Sequence, residues 1–345
     1  MKSIIFNKKY FFLVGIFSVF MSFGLFQKMV FADNVNNFSI QPLNEDGGVN
    51  QQGYFHFVGQ PGEKHSVSIK VYNSSDEEIK VKATVNPAST NQNGIPSYLS
   101  EEEVDPSLVY RMDELVVIEE SEIKIPANGS STINLTIFLP EEDWQGDILG
   151  GIRFTQEVDQ ENQQTVVHEV AYTVGILLNQ SDGSSVENEL SLKEVNAGQR
   201  NYRNYIEANL QNSAATIIHD MSIQSTIVRE GSTTPSYTFD AYDLRMAPNS
   251  NFDVGIPTGE QSIEAGDYVL KMAVVADEKE YTFEQAFTIT SQEARQLNQS
   301  AVNINQRLPY RLYGVLGGIG LLICLLIGWG WHRRKKANVV EKIVG

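Results

Sequence analysis

The sequence predicts an all-β protein with two tandem β-sandwiches, followed by a single transmembrane α-helix near the C-terminus. Three observations carry this prediction: short alternating apolar and polar runs along most of the chain, a set of landmarks that occurs twice, and an uncharged stretch from Leu312 to Trp331. The only cysteine, Cys324, lies in that stretch. The part of the chain before it therefore has no disulfides, and hydrophobic cores must hold its domains together.

The first 32 residues predict a cleaved signal peptide. Lys2, Lys8 and Lys9 precede an apolar run from residue 10 to 26, and Val30-Phe31-Ala32 has the small residues of a cleavage site. We expect cleavage after Ala32. A second transmembrane helix is the alternative.

The strand prediction rests on runs with a period of two residues, separated at intervals of about ten residues by Gly, Pro, Asn and Asp. These runs span residues 66–72, 78–85, 131–139, 148–154, 166–178, 222–228, 252–256, 268–275 and 281–289. Such short, evenly spaced strands are typical of sandwiches and barrels. Residues 106–115 and 291–305 are weaker candidates for helices, the second with Ser291 as its cap.

An internal repeat divides the strands into two domains. A strand, an Asn-Ser turn and a second strand occur around Asn73 and again around Asn212; a proline and small polar residues open a strand at Pro126 and at Pro248. A Gly-Asp pair then begins a hydrophobic strand in each half, at residues 146–147 and 266–267. The order is the same in both halves, which predicts two tandem immunoglobulin-like β-sandwiches.

The predicted domains follow from these landmarks. The first sandwich spans 34–179 and the second 186–291, with 181–185 as the linker and 292–311 as a polar stalk. Residues 166–178 could belong to either sandwich, so a boundary nearer 157–165 stays open.

The first half carries about seventeen residues that the second half lacks, between Pro87 and Met112. Long loops on a rigid sandwich often carry binding residues. Thr90, Asn91, Asn93 and Tyr98 could hydrogen-bond and stack on a polar polymer such as a glycan. The alternative is that Asn93-Gly94 is only a turn. Outside the loop, Trp144 could anchor a ligand or equally pack against its own sandwich.

The charge distribution excludes some classes of partner. Residues 33–311 carry a formal charge of about −25, which disfavours nucleic acid and anionic lipid headgroups. Carboxylates cluster at 101–103, 119–120 and 141–143, and paired carboxylates can hydrolyse glycosides. Solvated surface charge is the simpler interpretation. The scattered histidines lack metal-ligand spacing, and we predict no catalytic, metal or cofactor site.

The uncharged stretch is long enough to cross a bilayer as a helix. The residues that we assign to the membrane anchor are Leu312, Gly314, Gly318, Trp329 and Trp331. Gly314 and Gly318 also have the spacing that allows close helix packing, although glycine is common in such helices. The basic residues that fix the topology follow at once as Arg333, Arg334, Lys335 and Lys336. Positive residues stay inside, so we expect a short cytoplasmic tail at 332–345 and everything before the helix outside.

Several segments resemble one known family. They are Phe38-Ser-Ile-Gln-Pro42, Gln52-Gly-Tyr-Phe55, Ala88-Ser-Thr-Asn-Gln-Asn-Gly94, Ile148-Leu-Gly-Gly-Ile152, Ala247-Pro-Asn-Ser250 and Ala265-Gly-Asp-Tyr268. With the signal peptide and the anchor, this combination is similar to the WxL-interacting proteins of Gram-positive bacteria, over essentially the whole mature chain.

The resemblance implies a single-pass protein of the plasma membrane whose outer part faces the cell wall. Its first domain would bind peptidoglycan and its second a host protein, and secreted WxL-domain proteins would be partners, with host extracellular matrix proteins as a further class. It implies no individual binding residues. We therefore expect a non-enzymatic adhesion scaffold, with a wall-active glycoside hydrolase as the alternative.

Overall fold

The computed structural model describes residues 38–99, 104–157, 170–181, 185–302, 304 and 318–329. The predicted signal peptide, most of the predicted linker and the basic residues 333–336 lie outside them. The described chain forms two compact units, each with its own core. The first contains residues up to 87, 98–99, and 110 to 181; the second contains 88–97, 104–109 and the chain from 185.

The first unit is a sandwich of a four-stranded and a five-stranded sheet. The four-stranded sheet has the order β1-β3-β9-β7, with β1 (Phe38–Leu43), β3 (Lys64–Asn73), β9 (Ser130–Phe138) and β7 (Val116–Ile118). The five-stranded sheet has the order β2-β11-β10-β4-β8, with β2 (Phe55–Gly59), β11 (Ala171–Gln180), β10 (Asp147–Gln156), β4 (Ile79–Pro87) and β8 (Glu122–Ile125). Neighbouring strands are antiparallel except β2 and β11, which are parallel.

Alternation places one face of each sheet in the first core. Ile69 and Val71 of β3 and Ile152 of β10 are completely buried. They belong to one hydrophobic cluster, which contains residues from strands of both sheets. A short helix, α1 (Met112–Leu115), packs against this unit through the buried Met112. Burying one face of each strand is what fixes the register, since a slip of one residue would expose the whole apolar set.

The second unit is a sandwich of a three-stranded and a four-stranded sheet. The three-stranded sheet has the order β12-β13-β16, with β12 (Leu190–Arg200), β13 (Arg203–Asn212) and β16 (Ser250–Pro257). The four-stranded sheet has the order β15-β14-β17-β18, with β15 (Pro235–Met246), β14 (Ile218–Arg229), β17 (Gly266–Ala276) and β18 (Lys279–Ile289). These orders correspond to A-B-E and C′-C-F-G of an immunoglobulin-like sandwich. The all-β prediction is confirmed.

The predicted repeat has a physical basis in two buried asparagines. Asn73 donates through Nδ2 to the carbonyl four residues on and to the carbonyl of Pro126, just before β9. Asn212 donates in the same way to the carbonyl four residues on and to that of Ala247, just before β16. In each unit one amide group therefore ties a turn between strands to the start of a later strand.

A second pair of asparagines completes this arrangement. Asn128 and Asn249 have positive φ angles of 51° and 47°, which asparagine adopts more readily than most residues. Their backbone N–H groups donate to the carbonyls of Ser75 and Ala214, two residues beyond each buried asparagine. The Pro, Asn and Ser landmarks thus mark the same backbone reversal twice.

The predicted stalk needs correction over its first part. A helix, α2 (Ser291–Ser300), begins after Thr290, which forms a capping box with Glu293. Ala294 is buried in the second core, and Asn298 bonds Ile263 through both its side-chain oxygen and its amide nitrogen. Residues 291–302 therefore belong to the second unit, because one side of the helix packs on it. Most of the remaining predicted stalk, 305–311, lies outside the described residues.

Residues 318–329 form a separate helix, α3. In the described part of the chain, no helix has both the length and the apolarity to cross a membrane. The predicted span from Leu312 to Trp331 extends beyond the described residues at both ends.

Candidate functional site

A polar cleft in the first unit is the best candidate for a binding site. It has a volume of about 370 Å³ and lies between the β1–β2 loop and strands β2 and β3. The residues that line it are Asn44, Glu45, Asp46, Asn50, Gln52, Phe55, His56, Phe57 and Val67. This volume is within the range of pockets that hold small ligands.

The β1–β2 loop that forms one wall is held by its own hydrogen bonds. Asn50 accepts at Oδ1 from the backbone N–H groups of Gln52 and Gly53, at 2.9 and 3.1 Å, and donates through Nδ2 to the carbonyl of Tyr54. Asp46 accepts from the N–H of Gly48. Asn and Asp favour such turns because their short side chains bond the backbone two residues on. The wall of the cleft is therefore ordered before any ligand binds.

His56 stands on β2 with a defined ring orientation. Asn179 donates through Nδ2 to Asp147, at 2.7 Å, so its Oδ1 is the atom that lies 2.8 Å from His56 Nε2. A carbonyl oxygen can only accept, so Nε2 of His56 is the donor in this bond, and in the neutral form of the ring Nδ1 is then an acceptor. The imidazole thus offers a fixed hydrogen-bond acceptor beside the cleft.

A second histidine supports the floor. His65 stacks on Phe57 with ring centroids 4.2 Å apart, and its Nδ1 lies 3.1 Å from Glu45 Oε1. Glu45 also accepts from the N–H of Ser66. These contacts fix one carboxylate oxygen of Glu45 at the edge of the cleft. With amides, carboxylates and an imidazole around two aromatic rings, the cleft can bind a ligand rich in hydroxyl and amide groups.

Most of the cleft residues were not predicted from the sequence, because they lie in a stretch that resembles an ordinary turn. The signal was available in Asn44-Glu45-Asp46-Gly47-Gly48, a dense polar turn immediately before the aromatic run at 54–57. The turn and the aromatic residues of β2 come together only in the folded unit, where both line the cleft.

Three of the four predicted loop residues, Thr90, Asn91 and Asn93, lie in the second unit. β5 (Ser89–Thr90) and β6 (Pro96–Ser97) form a small hairpin there. Thr90 is 5% exposed; its Oγ1 lies 2.6 Å from Ser250 Oγ and accepts from the N–H of Ala247. Its hydroxyl is already used inside the unit, so the expectation that Thr90 contacts a ligand is wrong for this structure.

The neighbouring asparagines form the turn of this hairpin. Asn91 accepts at Oδ1 from the N–H of Asn93, and Gly94 has a φ of 66°. The exposed Asn93 remains accessible. The arrangement is that of the alternative interpretation, a turn that uses the conformational freedom of Asn and Gly.

Tyr98 and Trp144 both serve the first unit. The ring of Tyr98 covers Gly151, where an added Cβ would lie 3.0 Å from Tyr98 Cδ1, and burial raises the pKa of its phenol. Trp144 is 4% exposed and belongs to the first core. Its indole Nε1 has no hydrogen-bond partner within the described residues. Of the two interpretations of Trp144, the structure supports packing against its own sandwich.

A buried carboxylate fixes the rest of the insertion. Asp105, 5% exposed, accepts hydrogen bonds from Gln211 and Asn251 of the second unit, and from Ser107. Burial by itself raises the pKa of Asp105, but the hydrogen bonds from Ser107, Asn251 and Gln211 together outweigh it, and the pKa is below the usual 3.8. This network was not predicted, because its members are far apart in sequence.

Of the predicted anchor residues, Gly318 and Trp329 lie in α3. Leu312, Gly314 and Trp331 lie outside the described residues. The large apolar side chains of α3 are all more than half exposed, from 51% at Ile323 to 65% at Leu321.

Comparison with known proteins assigns the chain to a family. Residues 38–156 match the family description "WxL Interacting Protein, peptidoglycan binding domain", and residues 161–299 match "WxL Interacting Protein, host binding domain". The chain belongs to the WxL-interacting protein family. The two matches cover about three quarters of this WxL-interacting protein, in the predicted order. The family resemblance inferred from the sequence is confirmed. Strand β11 lies within the second match, but it pairs with β10 and β2 of the first unit.

Solved structures show only distant similarity to this WxL-interacting protein. One is the CsuC–CsuE chaperone-tip adhesion subunit complex of Acinetobacter baumannii, with 13% identity, a TM-score of 0.34, and coverage of 72% of this chain and 97% of that one. Another is the Pseudomonas aeruginosa CupB2 chaperone, with 12% identity, a TM-score of 0.28, and coverage of 67% and 96%. A search of curated proteins returns no match. Similarity at this level assigns no function.

Proposed function

We propose that this protein is a non-enzymatic, membrane-anchored scaffold of the cell surface. Its first unit binds peptidoglycan, and its second unit binds WxL-domain surface proteins or host extracellular matrix proteins. The observation that carries this proposal is that the two family matches fall mainly on two units with separate cores, apart from β11 and the segments 88–97 and 104–109. Separate cores allow each unit to present its own binding surface.

The cleft of the first unit is the proposed peptidoglycan site. Glycan chains of peptidoglycan present hydroxyl and N-acetyl groups, which need both donors and acceptors. Gln52 supplies both, the Nδ1 of His56 accepts, and the ring of Phe57 offers an apolar surface. The hydrolase alternative is less well supported, because Glu141, Glu142 and Asp143 are exposed rather than held in a buried site.

Substitution in the cleft tests the site. The double variant Gln52→Ala and His56→Ala is expected to weaken sedimentation of the full-length protein with purified peptidoglycan at least about tenfold, since two ligand hydrogen bonds are lost. A matched control is His219→Ala with Gln224→Ala, which removes the same two residue types from exposed positions of the second unit. Equal binding by the two double variants would exclude the cleft as the site.

The partners of the second unit are tested with the same protein. The full-length chain, immobilised, is expected to retain a secreted WxL-domain protein or a host matrix protein from purified samples, and the cleft variant is expected to retain it equally well. Failure to retain either class of protein would contradict the scaffold function while leaving peptidoglycan binding intact.

The anchor part of the proposal is supported by the apolar side chains of α3. Eight large apolar side chains on one short helix are unfavourable in water and suit contact with lipid. The double variant Leu322→Lys and Leu325→Lys costs about 2.5 to 3.5 kcal/mol per residue for insertion at a helix centre. We expect it to move the protein from the membrane to the soluble fraction, whereas Leu322→Ile with Leu325→Ile stays in the membrane. Unchanged fractionation of the lysine variant would contradict anchoring by this helix.

A further inference from the structure

The outer face of the five-stranded sheet carries an unusual group of cations. We define the basic strip as Lys80 and Lys82 of β4, Lys124 of β8 and Arg153 of β10. Alternation places all four on the outer face, because their neighbours Ile79, Val81, Ile123, Ile152 and Phe154 point into the core. Residues 38–157 contain seven Lys and Arg in total. Four of the seven therefore lie on one part of one sheet.

The strand register brings the four cations side by side. Lys80 lies directly opposite Lys124, and Arg153 lies opposite Thr84, diagonal to Lys82. Directly opposite side chains have Cβ atoms about 5 Å apart and diagonal ones about 7 Å. The strip thus crosses three neighbouring strands with positive groups at short, regular intervals.

The cations of the strip are poorly neutralised. Lys124 lies 3.8 Å from Glu78, whereas Lys80, Lys82 and Arg153 form no ion pair within the described residues. Glu122 lies opposite Lys82 on the neighbouring strand. Two like charges directly across a strand pair, as at Lys80 and Lys124, destabilise a sheet. The chain has a net charge of −17, so acidic residues are abundant in it. Fold stability alone would therefore favour a residue other than lysine at position 80 or 124.

We propose that the basic strip, unlike the acidic surface of the rest of the chain, binds a linear phosphodiester polymer attached to the cell wall. Lysine and arginine are the side chains that bind phosphate, and a row of them matches a polymer with one anion at each short repeat. Peptidoglycan itself carries its carboxylates on peptides that branch from the glycan, and these are sparser than the cations of the strip. Thr155, opposite Lys82, and Thr84, opposite Arg153, add hydroxyl donors on the same face. The proposal rests on the proposed wall-binding function in one respect: that function is the reason for taking the cell wall as the source of the polymer.

The experiment compares two double variants of the full-length protein. Lys80→Gln with Lys82→Gln removes two charges from the strip; Lys64→Gln with Lys70→Gln removes two from the outer face of the other sheet of the same unit. Each is sedimented with purified walls that retain their phosphodiester polymers and with the same walls after acid removal of those polymers.

We expect the strip variant to bind the intact walls about 30-fold more weakly than the native protein, on the basis of a comparable loss per cation at an anionic surface. Binding to the stripped walls should be unchanged, and the control variant should bind both walls within about threefold of the native protein. Added salt should weaken the native interaction with intact walls steeply, because counterions are released on binding.

Three results would overturn the proposal: equal weakening by both double variants, loss of binding to stripped walls by the strip variant, or no loss at all. Failure of peptidoglycan binding is distinguishable, because the native protein would then not sediment with stripped walls. The melting temperature gives an independent check. Lys80→Gln should raise the melting temperature by about 1–2 °C, since the repulsion from Lys124 is removed. If the substitution disrupts the fold, the melting temperature falls instead.

Discussion

Gly150→Ala is expected to destabilise the first unit by about 3 kcal/mol, although alanine normally fits a strand better than glycine. Gly150 lies in β10, and an added Cβ would lie 2.3 Å from Met112 Cβ and 2.8 Å from the carbonyl oxygen of Asn86. The first clash is with the helix α1 and the second with the backbone of β4. Neither can move without disturbing the core, because Met112 is completely buried.

The measurement is thermal unfolding, with Gly175→Ala as the matched control. Gly175 lies on the neighbouring strand β11, where an added Cβ would meet nothing closer than 3.7 Å. We expect a decrease in melting temperature of about 10 °C for Gly150→Ala and almost none for Gly175→Ala. Hydrogen exchange should show faster exchange in β4 and β10 and no change in the second unit. Similar melting temperatures for the two variants would mean that α1 is not packed as described.

Asp105→Ala is expected to destabilise the second unit by about 3 kcal/mol. The substitution leaves the amide groups of Gln211 and Asn251 and the hydroxyl of Ser107 without their acceptor. Gln211 is buried, so its unpaired amide group carries a full desolvation penalty. Chemical unfolding of the full-length protein measures the effect, and Asp240→Ala, at an exposed position of β15, is the control.

The same carboxylate predicts a pH dependence. The pKa of Asp105 is lower in the folded protein than in the unfolded chain, so its contribution to stability is complete above the unfolded value of about 3.9. That contribution disappears as the pH falls through the folded pKa. The difference in stability between the native protein and Asp105→Ala should therefore be constant near neutral pH and shrink in strong acid. A difference that grows on acidification would contradict the assigned hydrogen bonds.

The parts of the fold that depend on local pattern were predictable from sequence. Alternation located the strands because a face that enters a core must be apolar. The repeat was visible because Asn73 and Asn212 satisfy the same backbone carbonyls in both units. The capped start of α2 was also close to its predicted position, with Thr290 rather than Ser291 as the cap.

Contacts between distant polar residues were not predictable. The sequence predicts that Thr90 is an exposed loop residue. In the structure it is buried, and its hydroxyl group hydrogen-bonds with Ser250 and with the backbone N–H of Ala247. A polar side chain gives no sequence signal of burial when its partners are more than a hundred residues away. The cleft was missed for a related reason, since the polar turn at 44–48 and the aromatic residues of β2 form a site only after the strands pair.

The inclusion of residues 88–97 and 104–109 in the second unit imposes an order on its assembly. A chain synthesised from its N-terminus delivers these segments before strands β13 and β16, which carry Gln211, Ser250 and Asn251. Asp105 lies 106 residues before Gln211 and 146 before Asn251, and Thr90 of the hairpin lies 160 residues before Ser250. Until those strands are made, residues 88–97 and 104–109 are exposed to chaperones and proteases. A cut near residue 181 in that interval would separate these two segments from the rest of the second unit. Completion of that unit is therefore a late event that requires most of the polypeptide to be synthesised first.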